Sequence, residues 1–344
     1  MSGGVDSSAA MLLAMKKYGR DNVCGGTLCL SPDEAADEKN CADAKAVCDA
    51  LGVPHTSVDA RAAFEKAVVD YFTEEYFSGR TPNPCVVCNR EIKFGLLYDW
   101  ARANGFDKIV TGHYAVIETV NGTAFLRRAA DVRKDQTYVL AMLTQEQLAA
   151  ADFPLGGMTK PDVRALAAAH GFSSASRSDS QDICFIPDGD YAKFLKERCG
   201  ISDQPGDYTD ETGKLLGKHK GQWQYTIGQR KGLGISMGKH VFVLGKDPET
   251  NRVTLGDEDK LFRTEVTVTD LNYISGADQL LPGKTYTAKL RYAHKPAEVT
   301  VRVTDNTAVL TFTEPQRAPT PGQFAVVYDN DTVICAVKIG IANS

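Results

Sequence analysis

Residues 1–8 read Met1-Ser2-Gly3-Gly4-Val5-Asp6-Ser7-Ser8 and run directly into the apolar pattern Ala9–Met15. Two glycines let a ligand come close to the backbone without meeting a Cβ. Ser7 and Ser8 then stand at a helix start, where unpaired N–H groups and the helix dipole favour an anion. A glycine-rich turn feeding a helix reads as a phosphate cradle. No lysine follows the glycines and no G-x-G-x-x-G spacing is present, which excludes the two best-known phosphate loops. Taken alone, the stretch could equally be a tight turn with Ser and Asp as N-cap residues.

Outward from this loop the first half alternates helix and strand signals, as a parallel α/β sheet requires. Helices are expected at Ala9–Tyr18, Glu34–Leu51, Arg61–Phe77 and Glu91–Asn104. Strands are expected at Asn22–Leu30, His55–Val58 and Lys108–Thr111. The last strand ends in Gly112-His113, and ligands of open sheets lie beyond strand carboxyl ends. Only Met1 precedes the loop, where a hydrophobic strand is usual. The sheet is therefore expected to lack its first strand and to leave two neighbours with unpaired backbone groups.

From Asn121 the texture changes. Asn121-Gly122 between Val116–Val120 and Thr123–Arg128 is a strong hairpin signal. Helices are expected at Thr144–Ala151, Lys160–Gly171 and Tyr191–Cys199, with Pro161 in a favoured first-turn place. Gln204-Pro205-Gly206 marks a boundary. Beyond Arg263, evenly spaced short strands with turns at Pro282-Gly283, Asp305-Asn306 and Asp329-Asn330 indicate a small β-barrel.

Bulk composition narrows the function. The 344 residues are 43% apolar and 24% charged, and the net charge of −5 argues against a general nucleic-acid coat protein. No apolar run approaches the ~20 residues of a membrane span. The nine cysteines, an odd number spread thinly, suit a reducing cytoplasm better than a disulfide framework.

Gly79–Gly95 is the second informative stretch. Pro82 and Pro84 stiffen the approach to Cys88, which is expected near the start of the Glu91 helix. There, close to Arg90 and Lys93, its thiol pKa should fall. Cys85-Val86-Val87-Cys88 could also be half a zinc site, a redox dithiol or a pair of core thiols. Cys184, between Ile183 and Phe185, would by itself be a packing residue.

Ser-Gly-Gly-x-Asp-Ser resembles the pyrophosphate loop of the PP-loop ATPases, which cleave ATP to AMP and pyrophosphate and adenylate a substrate. Over nearly all its length the chain is similar to the tRNA-specific 2-thiouridylases. The similarity is carried by Met1–Ser8, Gly79–Gly95, Thr111–Tyr114, Lys134–Tyr138, Asp182–Ile186, Thr226–Gly234, Arg291-Tyr292 and Thr320–Gln323. It implies an α/β fold: a PP-loop (adenine nucleotide alpha hydrolase-like) parallel-sheet domain at 1–198, a small central tRNA-binding domain at 199–260 and a C-terminal β-barrel at 261–344.

The resemblance also implies an enzyme, a tRNA-uridine 2-sulfurtransferase that uses ATP and a persulfide to exchange a wobble-uridine oxygen for sulfur. Met1, Ser2, Gly3, Gly4, Val5, Asp6, Ser7 and Ser8 would hold the ATP phosphates, with Asp6 near Mg2+. Leu28 and Gly112 would line the adenosine pocket. Cys88 falls on the nucleophile and Cys184 on the cysteine that carries the persulfide sulfur, the two forming a disulfide once sulfur has left. Asn83, Pro84 and Cys85 fall where the target base is contacted. His113 and Gln323 fall on single tRNA contacts, and Lys134, Asp135, Gln136, Arg291 and Tyr292 on tRNA-binding patches. Implied partners are the anticodon loops of tRNAs for Lys, Glu and Gln, and a persulfide donor such as a cysteine desulfurase or relay protein. No zinc and no membrane are expected, and the protein is expected in the cytoplasm.

One departure stands out: well-known members carry aspartate where this chain has Cys85, and Cys85 could compete with Cys88 for the Cys184 sulfur. Two rival readings remain at this level. One is a PP-loop ligase adenylating a small substrate, with its cysteines as packing; the other is a tRNA-binding protein without catalysis, given the missing strand. In residues 222–232, Trp223 and Tyr225 could stack on RNA bases or fill a core.

Overall fold

The structure is a computed structural model and describes residues 1–31, 33–172, 183–274, 280–304 and 307–340. Helix α1 (Val5–Tyr18) starts directly on Gly4 and turns Val5, Ala9, Ala10, Met11 and Ala14 inward. It is followed by strand β1 (Gly25–Cys29), helix α2 (Glu34–Leu51) and strand β2 (His55–Asp59). Asp33 caps α2 through the N–H of Ala35, and Gly52 ends it in the left-handed conformation.

Strands β1 and β2 pair in parallel, Gly25 opposite His55 and Leu28 opposite Val58. A second parallel pair joins β3 (Ile109–Val110) to a two-residue strand, Ala151–Asp152. No ladder joins the two pairs among the described residues. The Met1 amino group donates to the Gly26 carbonyl at the edge of β1.

Residues 61–77 form one helical run with a π-helical turn at Glu65–Val69. Residues 84–103 form another, π-helical from Cys88 to Leu96. This second run begins seven residues before the expected Glu91. The cause is local: Asn83 accepts from the N–H of Val86 as the N-cap, and Pro84 takes the first turn.

Six strands close the C-terminal barrel. Phe262–Tyr273, Thr307–Arg317, Ala297–Thr304, Tyr286–Lys289, Phe324–Asp329 and Thr332–Ile339 pair in that order, and the first meets the last. Val268, Ala288, Leu310, Val327 and Val337 are among the side chains that fill it. The hairpin Val116–Val120/Thr123–Arg127 turns on Asn121 and Gly122, both with positive φ, and joins this sheet through Arg127 opposite Thr332. Between the two large units lies a four-stranded sheet with Tyr208, Tyr225, Val243 and Val253 in its core. The expected turn at Asp305-Asn306 lies outside the described residues.

The barrel grips the segment leading to the cysteines. Thr81 N–H donates to the Pro321 carbonyl (2.8 Å). The Gln323 amide donates to the carbonyls of Thr81 (2.9 Å) and Pro82 (3.1 Å). Just upstream, the Glu75 carboxylate, only 5% exposed, accepts from Arg80 at 2.6 Å and pairs in charge with Lys338 of the barrel at 3.1 Å.

Candidate active site

The loop at residues 2–8 is built from backbone. No side chain caps the first turn of α1, because its N-cap is Gly4, and the hydroxyls of Ser7 and Ser8 within the helix turn back to the Gly4 carbonyl (3.0 and 2.9 Å). The Ser2 and Ser7 hydroxyls lie 3.2 Å apart. Gly3 has φ +66°, and a Cβ there would come within 2.5 Å of Asp43 on α2. Gly112 presses so close that a Cβ would meet the Asp6 backbone carbon at 2.7 Å. Both glycines are thus required by the packing of the loop between α2 and the end of β3.

Asp6 is half-buried, and its carboxylate is held by two neighbours. Both its oxygens accept from Lys160 Nζ at 2.8 Å, and one also accepts from the Tyr114 hydroxyl at 2.8 Å. Tyr114 is in turn fixed by Gln136, which exchanges two 2.9 Å hydrogen bonds with its backbone. The arrangement explains two residues of the expected tRNA patch in other terms. Gln136 braces Tyr114, and buried Asp135 accepts from Ala129 N–H and the Thr137 hydroxyl. Lys134 is half-buried beside them. A magnesium ion held by one carboxylate together with substrate phosphates is a common arrangement, and Asp6 fits that donor set.

Side chains of β1 and of the residue just after it, Leu28 and Leu30, pack against the cluster that holds Cys88. Cys88 packs in one cluster with Phe64, Val68 and Ile92, and Leu28, Phe185 and Phe194 lie against it. Leu28, the expected adenosine contact, and the neighbour of Cys184 thus share a cluster with Cys88. Cys85 and Cys184 are exposed, whereas Cys88 is 8% exposed beneath them. The three thiols are close enough to feel one another's charge, and Lys93 acts on all three.

The expected low thiol pKa is not found. Burial pushes Cys88 up to about 11 and outweighs the Lys93 charge, which pulls the other way. Cys85 and Cys184 reach the surface, yet enough protein surrounds their sulfurs to desolvate them, and their pKa values are raised as well. The correction follows from the helix start: with Asn83 as N-cap, Cys85 is in the first turn and Cys88 lies a turn deeper, away from the positive end of the dipole. Asp182, the first residue of the Cys184 stretch, lies outside the described residues.

Other expected contacts divide into exposed and committed. Tyr292 is 42% exposed and has the Lys289 ammonium 5.5 Å from its ring centre. Arg291 is half-buried and donates to the Arg317 carbonyl. Gln323 is committed to Thr81 and Pro82, as described. His113 is buried between Phe94 and Phe153, hydrogen-bonded to Thr111 Oγ1 at 2.8 Å, and burial holds its pKa well below the usual range. Pro84 is buried and Asn83 caps the helix. Trp223 and Tyr225 are core residues, 1% and 4% exposed, so neither offers a stacking face. Trp223 packs on Phe77 and Tyr225 on Tyr208.

Family comparisons follow this architecture. A tRNA methyl transferase HUP domain matches residues 1–188, its PRC-barrel domain residues 192–257, and an aminomethyltransferase β-barrel domain residues 263–339. The chain is therefore of the HUP class with a PP-loop at its phosphate end. It is 45% identical to the tRNA-specific 2-thiouridylase MnmA of Caldicellulosiruptor saccharolyticus, over 97% of this chain and 95% of that protein. It is also 45% identical to that of Moorella thermoacetica (97% and 96%) and 43% to that of Clostridioides difficile (97% and 95%). The chain belongs to the MnmA family of tRNA-specific 2-thiouridylases. No helix among the described residues is long and apolar enough to cross a membrane.

Proposed function

We propose that this chain is an ATP-dependent tRNA-uridine 2-sulfurtransferase acting on the wobble uridine in the cytoplasm. The observation that carries the reading is that Leu28, Cys88 and the neighbour of Cys184 share one cluster, and that the Lys93 charge acts both on Cys88 and on the Met1 amino group that opens the loop.

The chemistry divides in two. The uracil C2 oxygen attacks the α-phosphorus of ATP, and pyrophosphate leaves against the N–H groups of residues 2–8. Mg2+, held by Asp6 and the phosphates, would supply charge neutralisation there. The terminal sulfur of a Cys184 persulfide then bonds to C2, while the Cys88 thiolate attacks Cys184 Sγ and breaks the S–S bond. AMP departs with the former C2 oxygen, leaving 2-thiouridine and a Cys88–Cys184 disulfide, which an external thiol must reduce before the next persulfide is loaded. Splitting one hard displacement into two easier steps is ordinary covalent catalysis.

A uridine in an anticodon loop must be splayed out to reach a buried thiol. Exposed Tyr292, within electrostatic reach of Cys85, offers a ring for the extruded base to lie against. Cys85 replaces the aspartate of better-known members, and with its pKa raised by burial it stays protonated near neutral pH and has no site to accept a proton. Proton transfer at this position then falls to water.

The test is nucleotide turnover. AMP and pyrophosphate should form in equal amounts only when a tRNA for Lys, Glu or Gln and a persulfide donor are present. Turnover with a small carboxylate or amide in place of tRNA would instead favour a PP-loop ligase.

A further inference from the structure

We propose that Cys29 and Cys41 are a second redox-active thiol pair, a modification site for small disulfides, whose oxidation to a cystine weakens nucleotide binding. The pair itself stands on geometry; its effect on ATP rests on reading residues 2–8 as the nucleotide loop. Cys29 is the last residue of β1 and Cys41 lies midway along α2, and their sulfurs are 3.8 Å apart. Both are half-buried, unlike Cys48 two turns further along α2, which is fully enclosed.

The neighbouring residues fix both thiols and connect them to the site. Asp37, Cys41, Ala44 and Cys48 recur at the spacing of one helix face, and all but Cys41 are buried there. The Asp37 carboxylate accepts from the N–H groups of Leu30 (3.2 Å) and Ser31 (3.3 and 3.2 Å), which holds the chain as it leaves Cys29. Leu28, one residue before Cys29, packs against the Cys88 cluster. Asp43, two residues after Cys41, is the α2 residue against which Gly3 is pressed. The pair therefore spans the gap between the expected adenosine contact and the helix that backs the phosphate loop. Burial, the contact with Cys41 and the Asp37 charge push the Cys29 pKa up to about 11, against the pull of Arg61. Cys29 thus stays protonated near neutral pH and reacts slowly, which suits a response to sustained rather than passing oxidation.

The step is thiol–disulfide exchange. The Cys41 thiolate attacks one sulfur of a small disulfide, R–S–S–R, and the first R–SH leaves. Cys29 then gives up its proton and attacks Cys41 Sγ in the mixed disulfide, releasing the second R–SH. Two protein thiols are oxidised, and the small disulfide is reduced by the same two electrons and two protons. An S–S bond is about 2 Å long, so closure draws the sulfurs in from 3.8 Å by roughly 1.8 Å. A closely packed interior passes such a displacement on rather than absorbing it, and the next contact along α2 is Asp43 against Gly3. On the proposed reaction each cycle ends in a Cys88–Cys184 disulfide and stalls once the external thiol runs out. Adenylation would then consume ATP with no sulfur to deliver, and a second pair that closes under the same condition prevents it.

The test uses full-length Cys88→Ala/Cys184→Ala protein, in which the first pair cannot contribute, treated with oxidised glutathione at mildly alkaline pH and then cleared of it. Digestion without reductant and mass spectrometry should find a peptide joining Cys29 to Cys41. Calorimetry should show ATP binding weakened by about fivefold or more relative to reduced protein, and recovered with dithiothreitol. Adding Cys41→Ala or, separately, Cys29→Ser should leave ATP affinity the same before and after treatment. The absence of a Cys29–Cys41 peptide, or glutathione attached to Cys41 without one, overturns the proposal. So does a complete Cys29–Cys41 bond with unchanged ATP affinity, or an equal loss of affinity in both added variants. Reduced protein that binds no ATP overturns the loop reading, and the effect on nucleotide with it, while the joined peptide still decides whether the pair reacts.

Discussion

The nucleotide loop and the thiol pair lie in one domain but stand in opposite states of readiness. On the proposed reading the loop works through backbone N–H groups, which need no ionisation, and Gly3 and Gly112 lock it between α2 and the end of β3. Cys88 would work only as a thiolate, and burial pushes its pKa up to about 11. The contrast teaches that adenylation can begin on a preformed surface, whereas sulfur transfer waits for an event that exposes Cys88 or brings charge to it. Such an order protects a reactive thiol until an activated base is present to consume it.

Several variants can break or sharpen this contrast. The largest effects are expected at the thiols: Cys88→Ala and Cys184→Ala should each reduce sulfur transfer to background while ATP affinity stays at the wild-type value. Retained transfer in either variant, read as 2-thiouridine formed, would remove the thiol half of the comparison. Next, Gly112→Ala forces a Cβ onto the Asp6 backbone. It should cost about 1–3 kcal/mol in thermal unfolding and weaken ATP binding, with the thiols untouched.

Glu75→Gln tests the clamp rather than either site. It strands Arg80 and Lys338 around a position that is 5% exposed. The expected cost is about 3 kcal/mol or less, because both cations keep some solvent. A melting temperature within a degree of wild type would deny the clamp any structural role.

The pH dependence follows from the raised pKa of Cys88. In a Cys85→Ser/Cys184→Ser background its alkylation should rise about tenfold per pH unit from 7 towards 10 and level near 11. A plateau already at pH 8 would contradict a buried, protonated thiol. The stability sign is the same: this thiol's contribution is complete below its unfolded pKa of 9.0 and is lost as pH rises towards about 11. The smallest effect is expected for Cys85→Ser, which should leave sulfur transfer within a few-fold if Cys85 is neither base nor relay.

Much of this was legible in the residues, and what was not has physical causes. The loop and the run Glu34–Leu51 could be read because glycines, caps and a helical period are local signals. Asn83-Pro84 is as local a signal, yet the helical pattern from Glu91 onward outweighs it in the sequence and sets Cys88 closer to the dipole than the structure does. Trp223 and Tyr225 could not be assigned from composition, because a ring that stacks on a base and a ring that fills a core look alike in sequence. Lys160 was noticed only as the start of a helix, since nothing in Thr159-Lys160-Pro161 announces that the fold will set it on Asp6. The hairpin at Asn121-Gly122 was clear, yet its attachment to the barrel depends on one residue pair with a strand some two hundred positions later.

The most direct test is mass spectrometry of nucleosides from tRNA incubated with the full-length protein, ATP, Mg2+ and a persulfide source. The account predicts 2-thiouridine at the wobble position in step with AMP released, and none when either Cys88 or Cys184 is replaced by alanine. Thiolated tRNA formed without ATP, or formed equally well by the double alanine variant, would contradict it.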